Sequence, residues 1–174
     1  KSDLYKTSGH WEKFGDELFK VKGQSDAEFV MKPMNCPHHT QIFDSKPRTY
    51  KELPIRYAET TMVYRDEQAG ELIGLGRVRS ITQDDGHVFC TFDQIDQEVE
   101  NIVHVIKEFY QSLDMYKEGK FWVSLSVSDP NKPDEYLGDK ENWQKAEAML
   151  ESVAKKLELP YKRVEGEAAF YGPK

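Results

Sequence analysis

The chain has 174 residues, of which 38% are hydrophobic and 32% charged, and its formal net charge is −7. This length suffices for one domain with a hydrophobic core, and no apolar run is long enough to predict a membrane span. The net negative charge argues against binding of nucleic acid by bulk electrostatics. The two cysteines, Cys36 and Cys90, are too few for a disulfide framework, so the sequence predicts a cytoplasmic protein.

Short strands are predicted in the first half of the chain, over 60–65, 77–82 and 87–92. Each is rich in β-branched or aromatic residues, and a glycine-bearing loop joins the first two. A further strand is predicted over 121–127, where apolar residues alternate with serines and a tryptophan. The alternation is typical of a strand with one buried face.

Two helices are predicted in the second half of the chain. The first begins near Thr91, which has capping-box spacing to Gln94, and carries an apolar stripe from Ile95 to Leu113. The second runs from Asp139 to Leu157, where lysines in the last turn suit the helix dipole. We expect both apolar stripes, together with Trp122 and Trp143, to lie in the core.

Strands joined by short loops, with helices inserted at intervals, predict an α+β fold. In this fold an antiparallel or mixed sheet is flanked by helices. The chain starts without a methionine and stops straight after an aromatic-rich segment. Domains usually end at exposed linkers, so we expect a domain that is truncated at both ends.

The segment 64–80 carries an unusual number of charges. Arg77 and Arg79 are two residues apart on the returning strand, so their side chains share one face. Guanidinium groups on a sheet are costly unless an anion meets them. Glu67 could neutralise one, and a phosphate ligand could meet the others. The alternative, which residue types alone favour, is an exposed hairpin with ion pairs worth about 0–1 kcal/mol each.

The order of residues in this hairpin is a second reason to expect a phosphate ligand. An arginine, one residue, a glutamate, a glycine-bearing loop and a returning arginine resemble motif 2 of the class II aminoacyl-tRNA synthetases. Five blocks spread over the whole chain resemble the threonyl-tRNA synthetases: 4–14, 31–39, 53–59, 81–90 and 166–174. The resemblance implies a partial class II catalytic domain over 1–174 that contains motif 2. It also implies that motifs 1 and 3, the editing domain and the anticodon-binding domain would be absent from this sequence.

The resemblance implies ATP-dependent ligation of L-threonine to tRNA(Thr) through a threonyl-adenylate, with Mg²⁺ accompanying ATP. It also implies a homodimeric parent enzyme with no membrane partner. We expect the isolated 174-residue chain to be inactive, because the two other motifs are missing. Two alternatives stay open: a sister class II synthetase for proline or serine, and a non-catalytic synthetase-like paralogue that acts as a binding or regulatory module.

The resemblance assigns Arg65 and Lys174 to catalysis. Arg65 would hold the α-phosphate of ATP and the carbonyl group of the amino acid. Glu67 would lie on the adenine side, and Arg77 would clamp the γ-phosphate of a bent ATP. Ile81 stands where the family usually has a phenylalanine stacked on adenine, so a stacking interaction worth about 0.5–1.5 kcal/mol is lost.

Cys36 and His87 resemble two of the three zinc ligands of the family, although their distant spacing alone is no metal signature. The third ligand, a histidine, would lie beyond the chain, so we expect the chain to bind zinc weakly or not at all. Zinc with an open position can bind the amino and hydroxyl groups of threonine, and valine lacks one of these. The resemblance assigns threonine contacts to Met34, Gln83, Asp85 and Tyr171.

Three neighbouring residues are not predicted to be ligands. His38 and His39 follow Cys36, and we expect them to be solvated or to anchor the loop. Cys90 lies three residues past His87, so its side chain should project from the opposite strand face into the core.

Overall fold

The computed structural model describes residues 1–173; Lys174, and with it the predicted catalytic role of that lysine, lies outside the described residues. The chain divides into two units, Lys1–Phe89 and Cys90–Lys174. The elements of the first unit are α1 (Asp3–Thr7), α2 (His10–Phe14), β1 (Lys20–Lys22), β2 (Glu28–Val30), α3 (Cys36–Asp44), β3 (Ile55–Tyr64) and β4 (Ser80–Phe89). Those of the second unit are α4 (Ile95–Ser112), β5 (Val123–Val127), α5 (Lys140–Lys156) and β6 (Tyr161–Glu165).

A long antiparallel hairpin of β3 and β4 dominates the first unit. The two strands predicted over 77–82 and 87–92 are one continuous strand, because Gly86 keeps its place in the ladder opposite Ala58. Residues 77–79 belong to the loop between the strands, so the prediction that they start a strand is wrong. The pairs that face each other across the centre are Tyr57–His87, Glu59–Asp85 and Thr61–Gln83.

Both predicted helices are present in the second unit. Thr91 and Gln94 form the predicted capping box, in which the Thr91 N–H donates to Gln94 Oε1 at 3.0 Å, before α4 begins. Asp139 caps α5 by accepting the N–H of Glu141 at 3.1 Å. β5 and β6 pair in parallel, and α5 lies in the crossover connection that a parallel pair needs. The antiparallel and parallel pairs together confirm the predicted α+β class with a mixed sheet arrangement.

The predicted core of the second unit is only partly correct. Trp143 is buried, and its indole N–H donates to the Leu137 carbonyl at 2.7 Å. The middle and end of the α4 stripe are exposed, and so is Trp122; the exposed stripe residues are Ile102, Ile106, Phe109 and Leu113. Periodicity shows which face of a helix is apolar, but it does not show whether another element covers that face. Within residues 1–173, no helix has the length and apolar character needed to cross a membrane.

Candidate active site

Strand β4 places three of the predicted site residues in one row. Gln83, Asp85 and His87 alternate along the strand and are half-buried, whereas the residues between them, Asp84 and Gly86, are exposed. Side chains two residues apart lie on the same face of a strand. An amide, a carboxylate and an imidazole therefore line one face of the hairpin.

The start of α3 supplies a partner for the carboxylate. Asn35, which is fully buried, donates from Nδ2 to Asp85 Oδ2 at 2.9 Å. The other oxygen, Oδ1 of Asp85, accepts the N–H of Gly86 at 2.9 Å. Asn35 Oδ1 is buried with no hydrogen-bond partner in the part of the chain described here. Buried polar atoms without a hydrogen-bond partner are rare in folded proteins. Sequence reasoning missed Asn35, since the contact joins residues far apart in the chain.

A second residue of α3 meets the imidazole. His39 Nδ1 lies 2.7 Å from His87 Nδ1, and the two rings are nearly perpendicular with centroids 4.8 Å apart. His39 is only 4% exposed, so the prediction of a solvated role is wrong for this residue. Its neighbour His38 is half-buried and contacts the Tyr5 hydroxyl at 3.5 Å. Burial lowers the pKa of His87 and thereby favours the neutral imidazole, the form that binds metals.

Cys36 is the first residue of α3 and is half-buried. Because Asn35 contacts Asp85 and His39 contacts His87, the first turn of α3 lies against β4. Thiolate and imidazole are both ligands that suit zinc. Within residues 1–173, however, no group of three His, Cys, Asp or Glu side chains is placed to hold a metal. Cys90, which follows β4, is half-buried and lies outside any disulfide.

Glu67 is the centre of the charged part of the hairpin. It is 3% exposed and accepts two hydrogen bonds from Arg77, from Nε at 2.8 Å and from Nη2 at 2.7 Å. The Nε of Arg79 donates to the Glu67 carbonyl at 2.8 Å. Glu71 and Glu17 lie 3.8 Å and 3.9 Å from Arg77 Nη2. The structure thus confirms that Glu67 neutralises one of the arginines.

Arg65 is placed differently. It directly follows β3, and its backbone N–H donates to the Arg79 carbonyl at 3.0 Å. Its guanidinium carbon lies 5.8 Å from the centre of the Phe14 ring, a cation–π distance. Among the residues that the structure describes, no carboxylate forms an ion pair with Arg65. Glu67 is close enough for the charge of Arg65 to help lower the pKa of the Glu67 carboxyl, but its two hydrogen bonds from a guanidinium come from Arg77. A half-buried guanidinium that no carboxylate holds in an ion pair is suited to bind an anion.

The remaining predicted residues lie in both units. Met34 is half-buried just before α3. Ile81 is an exposed residue of β4 opposite Val63, on the same strand face as Gln83. Tyr171 belongs to the second unit, where it is exposed and packs edge-on against Phe170.

The pair of Glu67 and Arg77 predicts a pH dependence of stability. The hydrogen bond from Arg77 holds the pKa of Glu67 below its ordinary value of 4.5. The contribution of the pair to the free energy of unfolding is therefore fully present above pH 4.5 and is lost as pH falls through the lowered pKa. Glu67→Gln should flatten this part of the profile, measured by urea unfolding between about pH 6 and about pH 3.

A matched control is available on α2. Glu12 is exposed, and the variant Glu12→Gln should retain the pH profile of the unsubstituted chain. An unchanged acid profile in Glu67→Gln would show that the ion pair does not contribute to stability.

Residues 19–174 match the family described as the tRNA synthetase class II core domain (G, H, P, S and T). The chain is 49% identical over 177 residues to threonine–tRNA ligase of Gloeobacter violaceus, covering 99% of the chain and 28% of that protein. It is 45% identical over 172 residues to threonine–tRNA ligase of an Exiguobacterium species, covering 99% and 26%. The chain thus spans about a quarter of the length of these relatives.

Two solved structures are similar to the whole chain. One is the RNA binding domain of threonyl-tRNA synthetase from Cryptosporidium parvum, with a TM-score of 0.86 and 38% identity over 99% of this chain and 41% of that one. The other is a threonyl-tRNA synthetase from Aeropyrum pernix, with a TM-score of 0.87 and 34% identity over 99% of this chain and 39% of that one. Both agree with the predicted fold class.

Proposed function

Because the chain belongs to the class II core family of tRNA synthetases, we propose that it carries the threonine-activating site of a threonine–tRNA ligase. The observation that supports this most is the arrangement of one hairpin. The guanidinium of Arg65, which forms no ion pair with a described carboxylate, follows one strand, and the row Gln83, Asp85 and His87 lines one face of the other. Such a hairpin offers an anion-binding group and a set of polar groups for a small hydroxylated substrate.

The activation step would be an in-line attack of the threonine carboxylate on the α-phosphorus of ATP. One bond forms between the carboxylate oxygen and phosphorus, and the bond to the leaving pyrophosphate breaks. Arg65 would donate hydrogen bonds to an α-phosphate oxygen and to the carbonyl oxygen of threonine, stabilising the negative charge that develops there. The resemblance to the threonyl-tRNA synthetases assigns Lys174 to catalysis as well. The step needs no protein nucleophile, because positioning and electrostatics supply the catalysis.

The other proposed nucleotide contacts come from the loop between β3 and β4 and from the start of β4. Glu67 would bind on the adenine side, Ile81 would pack on the base, and Arg77 would bind the γ-phosphate. Its side chain is 42% exposed, so Arg77 can donate to a phosphate from its outer nitrogen while Glu67 holds the guanidinium in place. Mg²⁺ bound with ATP would neutralise part of the phosphate charge.

Threonine would be selected by the polar row on β4. Cys36 and His87 would hold a zinc ion together with a ligand outside the described residues, and zinc would coordinate the amino and hydroxyl groups of threonine. Asp85 would accept the hydroxyl proton, and Gln83 would bind near the substrate carboxylate. The remaining predicted contacts are Met34, which would pack beside the substrate, and Tyr171, which would contact the amino group.

The complete protein would then transfer the threonyl group to the 3′ end of tRNA(Thr). We propose that it does so in the cytoplasm and as a homodimer. These properties belong to the full-length protein, because the chain spans only about a quarter of its relatives.

Amino-acid-dependent ATP–pyrophosphate exchange by the full-length protein tests the proposed function. Threonine should stimulate exchange, and valine should do so at least about a hundredfold less efficiently, because it lacks the hydroxyl group. Serine, which keeps the hydroxyl, should be activated measurably. Exchange that depends on proline, or on serine alone, would identify a sister synthetase; no exchange with any amino acid would indicate a non-catalytic module.

A further inference from the structure

We propose that His39 is a positioning residue that fixes the tautomer and orientation of His87, so that Nε2 of His87 is the atom that binds the metal. This inference rests on the proposed zinc site. It concerns a residue that is neither a ligand nor a substrate contact, and that touches His87 from the first turns of α3.

The geometry places His39 between two groups. Its Nδ1 lies 2.7 Å from Nδ1 of His87, and its Nε2 lies 3.4 Å from Glu59 Oε1. Glu59 is itself held by Lys32, whose Nζ lies 3.6 Å from the same carboxylate oxygen and donates to the Thr61 hydroxyl at 2.6 Å. A lysine, a carboxylate and two imidazoles therefore form one connected row between α3 and the hairpin.

The contact between the two Nδ1 atoms requires that one ring donates and the other accepts. If His39 donated from Nδ1, its neutral ring would turn the lone pair of Nε2 toward the carboxylate of Glu59, which is repulsive. If His39 instead carries its proton on Nε2, that N–H faces the carboxylate, and Nδ1 is free to accept. His87 then carries its proton on Nδ1 and donates it to His39.

The consequence for His87 is that Nε2 carries the lone pair. Within residues 1–173, no hydrogen bond to His87 Nε2 is present. The perpendicular packing of the two rings, at 81°, also holds the plane of the His87 ring. Metal-binding histidines generally donate their second N–H to an acceptor that fixes the ring, and loss of that acceptor typically costs 10- to 100-fold in metal affinity. His39 is suited to be that acceptor.

The tautomers can be read directly in the metal-free protein. Long-range ¹H–¹⁵N correlation spectra of protein labelled on histidine, recorded at about pH 8 where ordinary histidines are neutral, should show His87 protonated on Nδ1 and His39 on Nε2. A His87 ring protonated on Nε2 would overturn the inference. This readout needs neither zinc nor activity, so it stands even if the proposed function is wrong.

Zinc affinity of the full-length protein, measured by competition with a chelator, tests the consequence. His39→Leu removes the acceptor and should raise the zinc dissociation constant about 10- to 100-fold. His39→Asn, whose side-chain oxygen can accept the proton from His87 Nδ1, should recover most of this loss. His38→Gln is the matched control, because the His38 ring contacts Tyr5, and it should bind zinc like the unsubstituted protein.

The outcomes separate the two proposals. If the unsubstituted protein binds no zinc, the proposed zinc site fails, and the spectra alone decide whether His39 orients His87. If it binds zinc and His39→Leu, folded by circular dichroism, binds equally tightly, the positioning role is wrong while the proposed function survives. If His39→Leu does not fold, His39→Asn and the spectra decide.

Discussion

Replacing Arg65 by alanine in the full-length protein should reduce threonine-dependent ATP–pyrophosphate exchange by about a hundred- to a thousandfold. This is the range found when a single preorganised donor to a developing charge is removed. Arg65 lies between a strand end and the Phe14 ring, and no carboxylate among the described residues shares its guanidinium. Its hydrogen bonds are therefore available to the α-phosphate. The loss should fall mainly on the turnover number, because the charge develops in the transition state.

Two further variants make this result specific. Arg65→Lys keeps the positive charge but loses the bidentate N–H donors of the guanidinium, so it should retain only part of the exchange activity of the unsubstituted protein. Lys51→Ala removes an exposed cation elsewhere in the same unit and should leave exchange unchanged. Full activity in Arg65→Ala would favour a non-catalytic binding module over a synthetase.

The second large effect is expected at Cys36. Cys36→Ala in the full-length protein should reduce bound zinc, measured by elemental analysis, from about one ion per chain to nearly none. Threonine-dependent exchange should fall by about a thousandfold. Cys36 is the first residue of α3, and its chain neighbours Asn35 and His39 contact Asp85 and His87 on β4.

The chain offers its own control for this experiment. Cys90 is the other cysteine, is also half-buried, and follows the same strand as His87. Cys90→Ala should keep full zinc content and near-normal exchange. Equal loss of zinc in both variants would point to unfolding, and full zinc content in Cys36→Ala would remove Cys36 from the proposed site.

Local signals were sufficient to predict the helices of the second unit. The capping box of Thr91 and Gln94 and the cap at Asp139 depend on residues within one turn, so their spacing is visible in the sequence. The hairpin strands were predicted with wrong limits, because the continuity of β4 through Gly86 is not visible in the local sequence. The pairing of Gly86 with Ala58 depends on a strand nearly thirty residues earlier.

The site shows the same division between local and long-range information. That Gln83, Asp85 and His87 share a face follows from the two-residue period of a strand. The roles of Asn35 and His39 could not be predicted, because both depend on α3 packing against β4. Likewise, the α4 stripe was recognisable as apolar, but its exposure depends on which elements pack beside it.

A crystal structure of the full-length protein with a non-hydrolysable threonyl-adenylate analogue would test the central claim most directly. The account predicts that the group replacing the α-phosphate lies within about 3 Å of the Arg65 guanidinium. The threonine hydroxyl should lie on the β4 face that carries Asp85 and His87. An analogue bound away from this hairpin, or bound with Arg65 turned away from the phosphate position, would contradict the account.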